Sequence, residues 1–124
     1  MSVFAPTMGA LWRQLEGYGI DPDPVFREQG IDPDTLFDAG ARVPFDRVQK
    51  LNMEAARLSG DAHFGLRAAE YFRPAHLGAL GFAWLASASL RKAFERLSRY
   101  SRVIQEKLTI DLSEDEAFFY VSID

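Results

Sequence analysis

Leu77-Gly78-Ala79-Leu80-Gly81-Phe82-Ala83-Trp84-Leu85-Ala86-Ser87-Ala88-Ser89-Leu90-Arg91-Lys92-Ala93-Phe94-Glu95-Arg96-Leu97-Ser98-Arg99-Tyr100 is the stretch on which the reading of this chain turns. Its first part, about Leu77 to Ala86, is apolar almost all round. A helix without a polar face belongs in the middle of a domain. It is too short to cross a bilayer, which takes ~20 apolar residues, so the expectation is a central core helix. Gly78 and Gly81 share a face and let a neighbouring element approach closely. Ser87 or Ser89 then caps a longer helix to about Lys107, its oxygen accepting a free backbone N–H of the first turn. The stripe Leu90, Ala93/Phe94, Leu97, Tyr100/Ser101 and Ile104 has the spacing of one helical face. The other face carries Arg91, Lys92, Arg96, Arg99 and Arg102, with Glu95 and Glu106 between them.

Upstream, Met8, Leu11, Trp12, Leu15 and Tyr18 predict a helix from about Thr7, with Thr7 as cap and Gly19 as its end. Gly19-Ile20-Asp21-Pro22-Asp23 then recurs as Gly30-Ile31-Asp32-Pro33-Asp34. In each copy the glycine takes the left-handed position after a helix and the isoleucine folds back onto it. An aspartate with proline behind it, Asp23-Pro24 in one copy and Asp32-Pro33 in the other, opens the next helix. Two short helices follow, near Pro24 to Gln29 and Pro33 to Phe37. Asp38 to Val43 reads as a loop. Pro44 opens a longer helix to about Ser59, with Val48, Leu51, Ala55 and Leu58 inward, and Gly60 stops it. Asp61 caps a helix from about Ala62 to Phe72, which Arg73-Pro74 breaks.

Downstream of Lys107 the period changes to two. Leu108, Ile110 and Leu112 alternate with polar residues in a strand over about 108–113, and a second strand covers about 117–123. The fold class is therefore α+β, mostly α: a multi-helix layer followed by an antiparallel hairpin. Phe118, Phe119, Tyr120, Val121 and Ile123 put apolar groups on both faces of that hairpin. A two-stranded ribbon is marginal alone, so the expectation is that residues 1–124 form the front of a domain whose sheet continues. The alternative is a complete small fold with the hairpin packed on the helices.

Composition narrows the function. With 124 residues the chain is one domain or part of one, and 48% apolar residues suffice for a packed core. It has no cysteine, which excludes disulfides, thiolate metal sites and cysteine nucleophiles. Its two histidines, His63 and His76, lack a third ligand at metal spacing, so no metal site is expected. No P-loop, G-x-G-x-x-G or G-x-S-x-G frame is present. The pairs Asp21/Asp23 and Asp32/Asp34 resemble an acid–base couple, but beside proline and glycine they read as helix caps. The chain is expected not to be an enzyme and to need no cofactor. A net charge of −4 argues against direct nucleic-acid binding, and the basic side of the Leu90 helix reads as a solvated face. Without a signal peptide or membrane span, the expected location is the cytoplasm.

The candidate ligand-binding residues are Arg73, His76, Trp84 and Tyr100. Arg73 and His76 flank Pro74 and offer polar groups for a carboxylate or hydroxyl, since pockets are mostly apolar with a few placed polar groups. The plainer alternative is an exposed loop. Trp84 and Tyr100 lie at helical spacing, where aromatics usually fill core, but each needs a partner for its N–H or O–H if buried. His63, on the first turn of its helix, is expected in solvent.

Taken in order, these motifs resemble the N-terminal effector-binding region of AraC-type transcriptional regulators, in the subgroup whose sensor region opens with helices. The resemblance is carried by Leu77-Gly78-x-Leu80-Gly81-Phe82-Ala83-x-Leu85-x-Ser87-x-Ser89-Leu90-x-x-Ala93-Phe94-x-x-Leu97-x-Arg99-Tyr100. The Gly-Ile-Asp punctuation, Val43-Pro44 and Gly60-Asp61-x-x-Phe64-Gly65-Leu66-Arg67 extend it over nearly the whole chain. Ala62 and Ala88 depart from it, standing where relatives tend to have proline. The resemblance implies a region that binds a small-molecule effector and contributes to dimerisation. DNA would be contacted only by a C-terminal helix-turn-helix pair that these residues do not include. In AraC itself the sugar sits in a barrel of strands. Nothing here matches a sugar site, so arabinose is not carried over. The alternative function is a ligand-free interaction scaffold.

Overall fold

A computed structural model describes residues 1–124. The chain begins with a strand, β1 (Ser2–Phe4), and a 3-10 turn, Ala5–Met8. Helices α1 (Gly9–Gly17) and α2 (Pro22–Glu28) follow, then a 3-10 turn, Pro33–Phe37, and the strand β2 (Arg42–Pro44). Next come α3 (Phe45–Ser59), α4 (Phe64–Arg67) and two more 3-10 turns, Ala68–Glu70 and Pro74–Leu77. Helices α5 (Ala79–Leu85) and α6 (Leu90–Ile104) lead into the hairpin of β3 (Ile110–Glu114) and β4 (Phe119–Ile123). This is the expected mostly-α member of the α+β class. None of its helices is long and apolar enough to cross a membrane.

The repeated Gly-Ile-Asp-Pro-Asp does the same work twice. Gly19 and Gly30 both turn the chain at positive φ, 74° and 73°. Behind them Ile20 N–H donates to Leu15 O and Ile31 N–H to Phe26 O, closing each helix end as a glycine at that position allows. Asp21 then accepts Asp23 N–H at 3.1 Å and Asp32 accepts Asp34 N–H at 3.0 Å, with Pro22 and Pro33 at the first helical positions. The cap of α2 is therefore Asp21, not Asp23. The expected start at Pro24 is two residues late, because Asp23 is taken up in the first turn, where it pairs with Arg27 at 2.9 Å.

Every member of the main hydrophobic core lies between Val3 and Phe64. Phe26, Leu15, Ile31 and Leu51 are its largest fully covered apolar side chains, and Trp12 meets Phe26 edge-on at 5.2 Å. Gln14, also buried, donates from Nε2 to Phe64 O at 2.7 Å and ties α4 to α1. As expected, Val48, Leu51 and Ala55 face inward from α3, which Gly60 ends. Leu58 is exposed, one turn past the place where the core closes.

Four further expectations need correction. The loop over Asp38–Val43 runs into β2, which also takes in Pro44, so that α3 opens at Phe45; β2 pairs antiparallel with β1 as Val3↔Val43, and strands this short carry no periodicity to read. The first helix has no Thr7 cap, since Thr7 Oγ1 donates back to Phe4 O within the 3-10 turn. The helix over Ala62–Phe72 is one α turn that loosens into 3-10, because Phe64 is its only buried apolar group. The fourth correction is the largest: α5 is not a central core helix. Of its residues only Leu80 and Gly81 are buried, while Phe82 and Leu85 are 59% and 63% exposed. It lies on the Pro74–Leu77 turn and against α6, and nothing covers its outer side.

The close approach expected at Gly81 is present. A Cβ there would overlap the carbonyl of Pro74, so only glycine lets α5 sit on that turn. Ser89 caps α6, accepting Lys92 N–H at 3.2 Å. Ser87 instead donates to Ala83 O and accepts from Arg96. The hairpin packs one face on α6, where Phe94 meets Phe119 at 6.3 Å and Ile110 is buried. Its register pairs Ile110 with Ile123, Leu112 with Val121 and Glu114 with Phe119. The start of the chain joins the two parts. Val3 bridges Gln105, Ser2 Oγ donates to Glu106 at 2.6 Å, and Arg42 Nη1 donates to Val103 O at 2.6 Å.

Candidate functional site

The Pro74–Leu77 turn folds back against the start of α1, because Arg73-Pro74 cannot continue the helix before it. Arg73 N–H donates to His76 Nδ1 at 2.9 Å, and His76 N–H donates to Arg73 O at 2.9 Å. This reciprocal pair sets the ring over Gly9, where a Cβ would lie 2.8 Å from His76 Cδ2. A nitrogen that accepts a hydrogen bond carries no proton, so the neutral ring holds its proton on Nε2. No protein group accepts from that Nε2–H. Phe72 meets the ring edge-on at 5.8 Å. Burial, then the charges of Arg13 and Arg73, hold the imidazole below its ordinary pKa, favouring the neutral form.

His76 closes one end of a cleft of 420 Å³ between the start of the chain, the Pro33–Phe37 turn and the Pro74–Leu77 turn. Its walls are mainly Phe4, Pro6, Trp12, Leu36 and Phe37, and its only charged or titratable residues are Arg13 and His76. No carboxylate lines it. Arg13 is half-buried on α1 and makes no ion pair or hydrogen bond with the protein. Phe37 stands at the rim and is 91% exposed.

Of the four sequence candidates, only His76 lines this cleft. Arg73 orients it through the backbone, while its own guanidinium is exposed and donates to Phe72 O at 3.1 Å. Trp84 and Tyr100 sit on other sides of α5. Trp84 meets Phe94 edge-on at 5.0 Å and lines a groove of 350 Å³ with Phe72, Leu77 and Leu97. Tyr100, half exposed, lines a groove of 400 Å³ with Phe4, Leu80 and Val103. The four are therefore not one site. Phe4 and Gly78 line both the His76 cleft and the Tyr100 groove, which makes them neighbours across β1.

Another groove, of 470 Å³, runs over α1, α3 and α4 beside Met53. Its amide side chains are spent within the protein, Gln14 on Phe64 O and Asn52 on Val48 O. The His76 cleft differs from these grooves in holding a cationic side chain, Arg13, that has no protein partner. Sequence reading missed Arg13, Phe4, Trp12 and Phe37. Trp12 and Arg13 lie on α1, more than sixty residues before His76, and no spacing rule links them. His63 is exposed, as expected. The basic residues of α6 are exposed too, and several are used locally. Arg91 pairs with Glu114 at 2.5 Å and lies over the Phe119 ring, and Arg96 donates to Ala83 O.

Residues 19–124 match the family described as the arabinose-binding domain of AraC transcription regulator, N-terminal. The chain is also similar to the ornithine utilization regulator of Pseudomonas aeruginosa, 28% identical over 107 residues. That match covers 86% of this chain but 32% of the relative, so the chain spans about a third of the regulator's length.

Proposed function

The chain belongs to the family of the arabinose-binding N-terminal domain of AraC transcription regulators, and from that premise we propose that it senses a small-molecule effector and so controls DNA binding by another part of the regulator. The observation that carries this reading is the His76 cleft. It has the size and the apolar lining of small-molecule sites, with a few polar groups left free of the protein's own bonds. An occupant that binds one conformation better than another shifts the population of DNA-competent states. The proposed frame is a sensor region over residues 1–124 with helix-turn-helix motifs elsewhere in the regulator, acting in the cytoplasm and not as an enzyme. The similar protein's name concerns ornithine utilization, which makes amino acids and their breakdown products the first compounds to screen.

The test is thermal unfolding of the full chain against a metabolite panel. The expected result is a midpoint that rises saturably with free ligand, as binding to the native state requires. Flat curves across the panel, with a midpoint that depends on protein concentration, would favour the interaction scaffold. A specific observation keeps that second reading in view: Phe82, Leu85, Leu90, Phe118 and Ile123 are all exposed on one half of the chain. The same midpoints measured across protein concentrations report whether the chain forms a homodimer.

A further inference from the structure

Resting on the sensing role proposed above, we infer that the His76 cleft takes a small carboxylate with an apolar body, its carboxylate held by Arg13 and its body on Trp12 and Phe37. Three observations converge on this class. Arg13 is a half-buried guanidinium without a protein partner, in a cleft without a single acidic side chain. The cleft supplies no counter-charge, and the planar fork of a guanidinium matches a carboxylate bidentately. His76 has its acceptor nitrogen occupied by Arg73 N–H, so it can offer only a donor. The free polar side chains here, Arg13, His76 and the indole N–H of Trp12, are all donors, and they suit an acceptor-only group such as an ionised carboxylate.

The charge of the lining separates carboxylate from phosphate. One guanidinium and one neutral imidazole N–H match the single charge and two oxygens of a carboxylate. A phosphate group would bring a second charge with no second cationic side chain in the lining to meet it. The rest of the lining sets the body. Phe4, Trp12 and Leu36 offer no polar atom apart from the indole N–H, and Phe37 exposes nearly its whole ring at the rim. An aromatic or branched aliphatic group there would cover that ring, which nothing in the protein does. A polyhydroxylated sugar would leave most of its hydroxyls unmatched in this cleft.

The experiment uses matched triplets of acid, primary amide and amine: phenylacetate, phenylacetamide and phenethylamine, then isovalerate with its amide and amine, then indole-3-acetate with its amide and amine. Each is titrated into the full chain at neutral pH, following thermal midpoint and Trp fluorescence. The expected result is saturable binding of at least one acid, about tenfold or more tighter than its amide, the margin of a hydrogen bond to a charged group. Arg13→Met should abolish that preference and Arg13→Lys should retain part of it. An amide or amine that binds as well as its acid overturns the carboxylate assignment while leaving effector sensing intact. So does an acid preference that survives Arg13→Met. Absence of saturable binding by any member of any triplet counts against both this inference and the sensing role of the cleft. If Arg13→Met does not fold, Arg13→Gln against Arg13→Lys makes the same comparison.

Discussion

The first sixty-four residues and the last fifty treat their apolar side chains in opposite ways. From Val3 to Phe64 they converge on one core, with Phe26, Leu15, Leu51 and Ala55 wholly covered. Beyond Arg73 the buried apolar side chains are Leu80, Ala93 and Ile110, while Phe82, Leu85, Leu90, Val103, Phe118 and Ile123 are exposed. Both parts are rich in aromatic and branched residues, so composition is not the cause. The difference is geometric. The first part crosses α1, α2 and α3 over one another and closes them with a paired strand. The second part is a helix pair and a ribbon that touch along one side each. Apolar groups lower the free energy of a fold only where another element removes them from water.

The sharpest test of that contrast is a pair of truncations. Phe26→Ala should cost about 3–5 kcal/mol, the range for emptying an aromatic position in a core, and Phe82→Ala should stay within about 0.5 kcal/mol, as exposed changes do. Urea unfolding of both variants measures this. A Phe82→Ala cost near that of Phe26→Ala would mean that α5 is covered in solution, and the contrast would fail. Gly81→Ala comes next, at about 1–3 kcal/mol from the overlap with Pro74. Its damage should be confined: hydrogen exchange should speed up over α5, α6 and the hairpin, while α1 to α3 keep their protection.

Two caps of similar chemistry then sharpen the comparison. Asp21→Ala on α2 and Ser89→Ala on α6 should each cost about 1 kcal/mol, the usual value of a lost cap. The first should lower the global unfolding free energy, and the second should appear mainly as local opening of α6 by hydrogen exchange. The smallest effect concerns pH. Asp61 accepts hydrogen bonds from Tyr18 Oη at 2.5 Å and from His63 N–H, and pairs with Arg67 at 2.9 Å. These hold its carboxyl below the usual aspartate value, the Tyr18 bond foremost. A depressed folded pKa gives stability that is fully present above the ~3.9 of an unfolded aspartate and is lost as pH falls through the lower folded value. The difference in thermal midpoint between the natural chain and Tyr18→Phe should therefore shrink on acidification below pH ~4. A difference that stays constant would show that the tyrosine acts only through packing.

What was legible in the sequence follows the same divide. Local devices were readable: the glycine stops at Gly19, Gly30 and Gly60, the cap at Ser89, the tight seat at Gly81 and the register-setting alternation of β3. Each depends on a few neighbouring residues, and the structure realises them. The surroundings of α5 are not legible, because an all-apolar surface states a preference without naming what would satisfy it. The candidate site divides likewise. His76 was legible through its place behind Pro74, whereas Arg13 and Phe37 belong to the cleft only because the Pro74–Leu77 turn returns to the start of α1. Trp84 and Tyr100 carry polar tips at helical spacing, and helical spacing does not say on which side of a helix a pocket will form.

The junction between Val3 and Gln105 has a consequence for synthesis. As the chain is made in order, β1 meets β2 once Pro44 has emerged, and the core up to Phe64 can close soon afterwards. The bridge to Gln105 and the bond to Glu106 must wait for about sixty more residues, roughly 3–12 s of translation. During that interval the side of β1 that will meet Gln105 stands open, and Phe4 has neither α5 nor Tyr100 beside it. Ser2 and Val3, made before the core, are thus among the last residues to be fully fastened. On this ordering, the cleft at His76 comes into existence only after the core is already built.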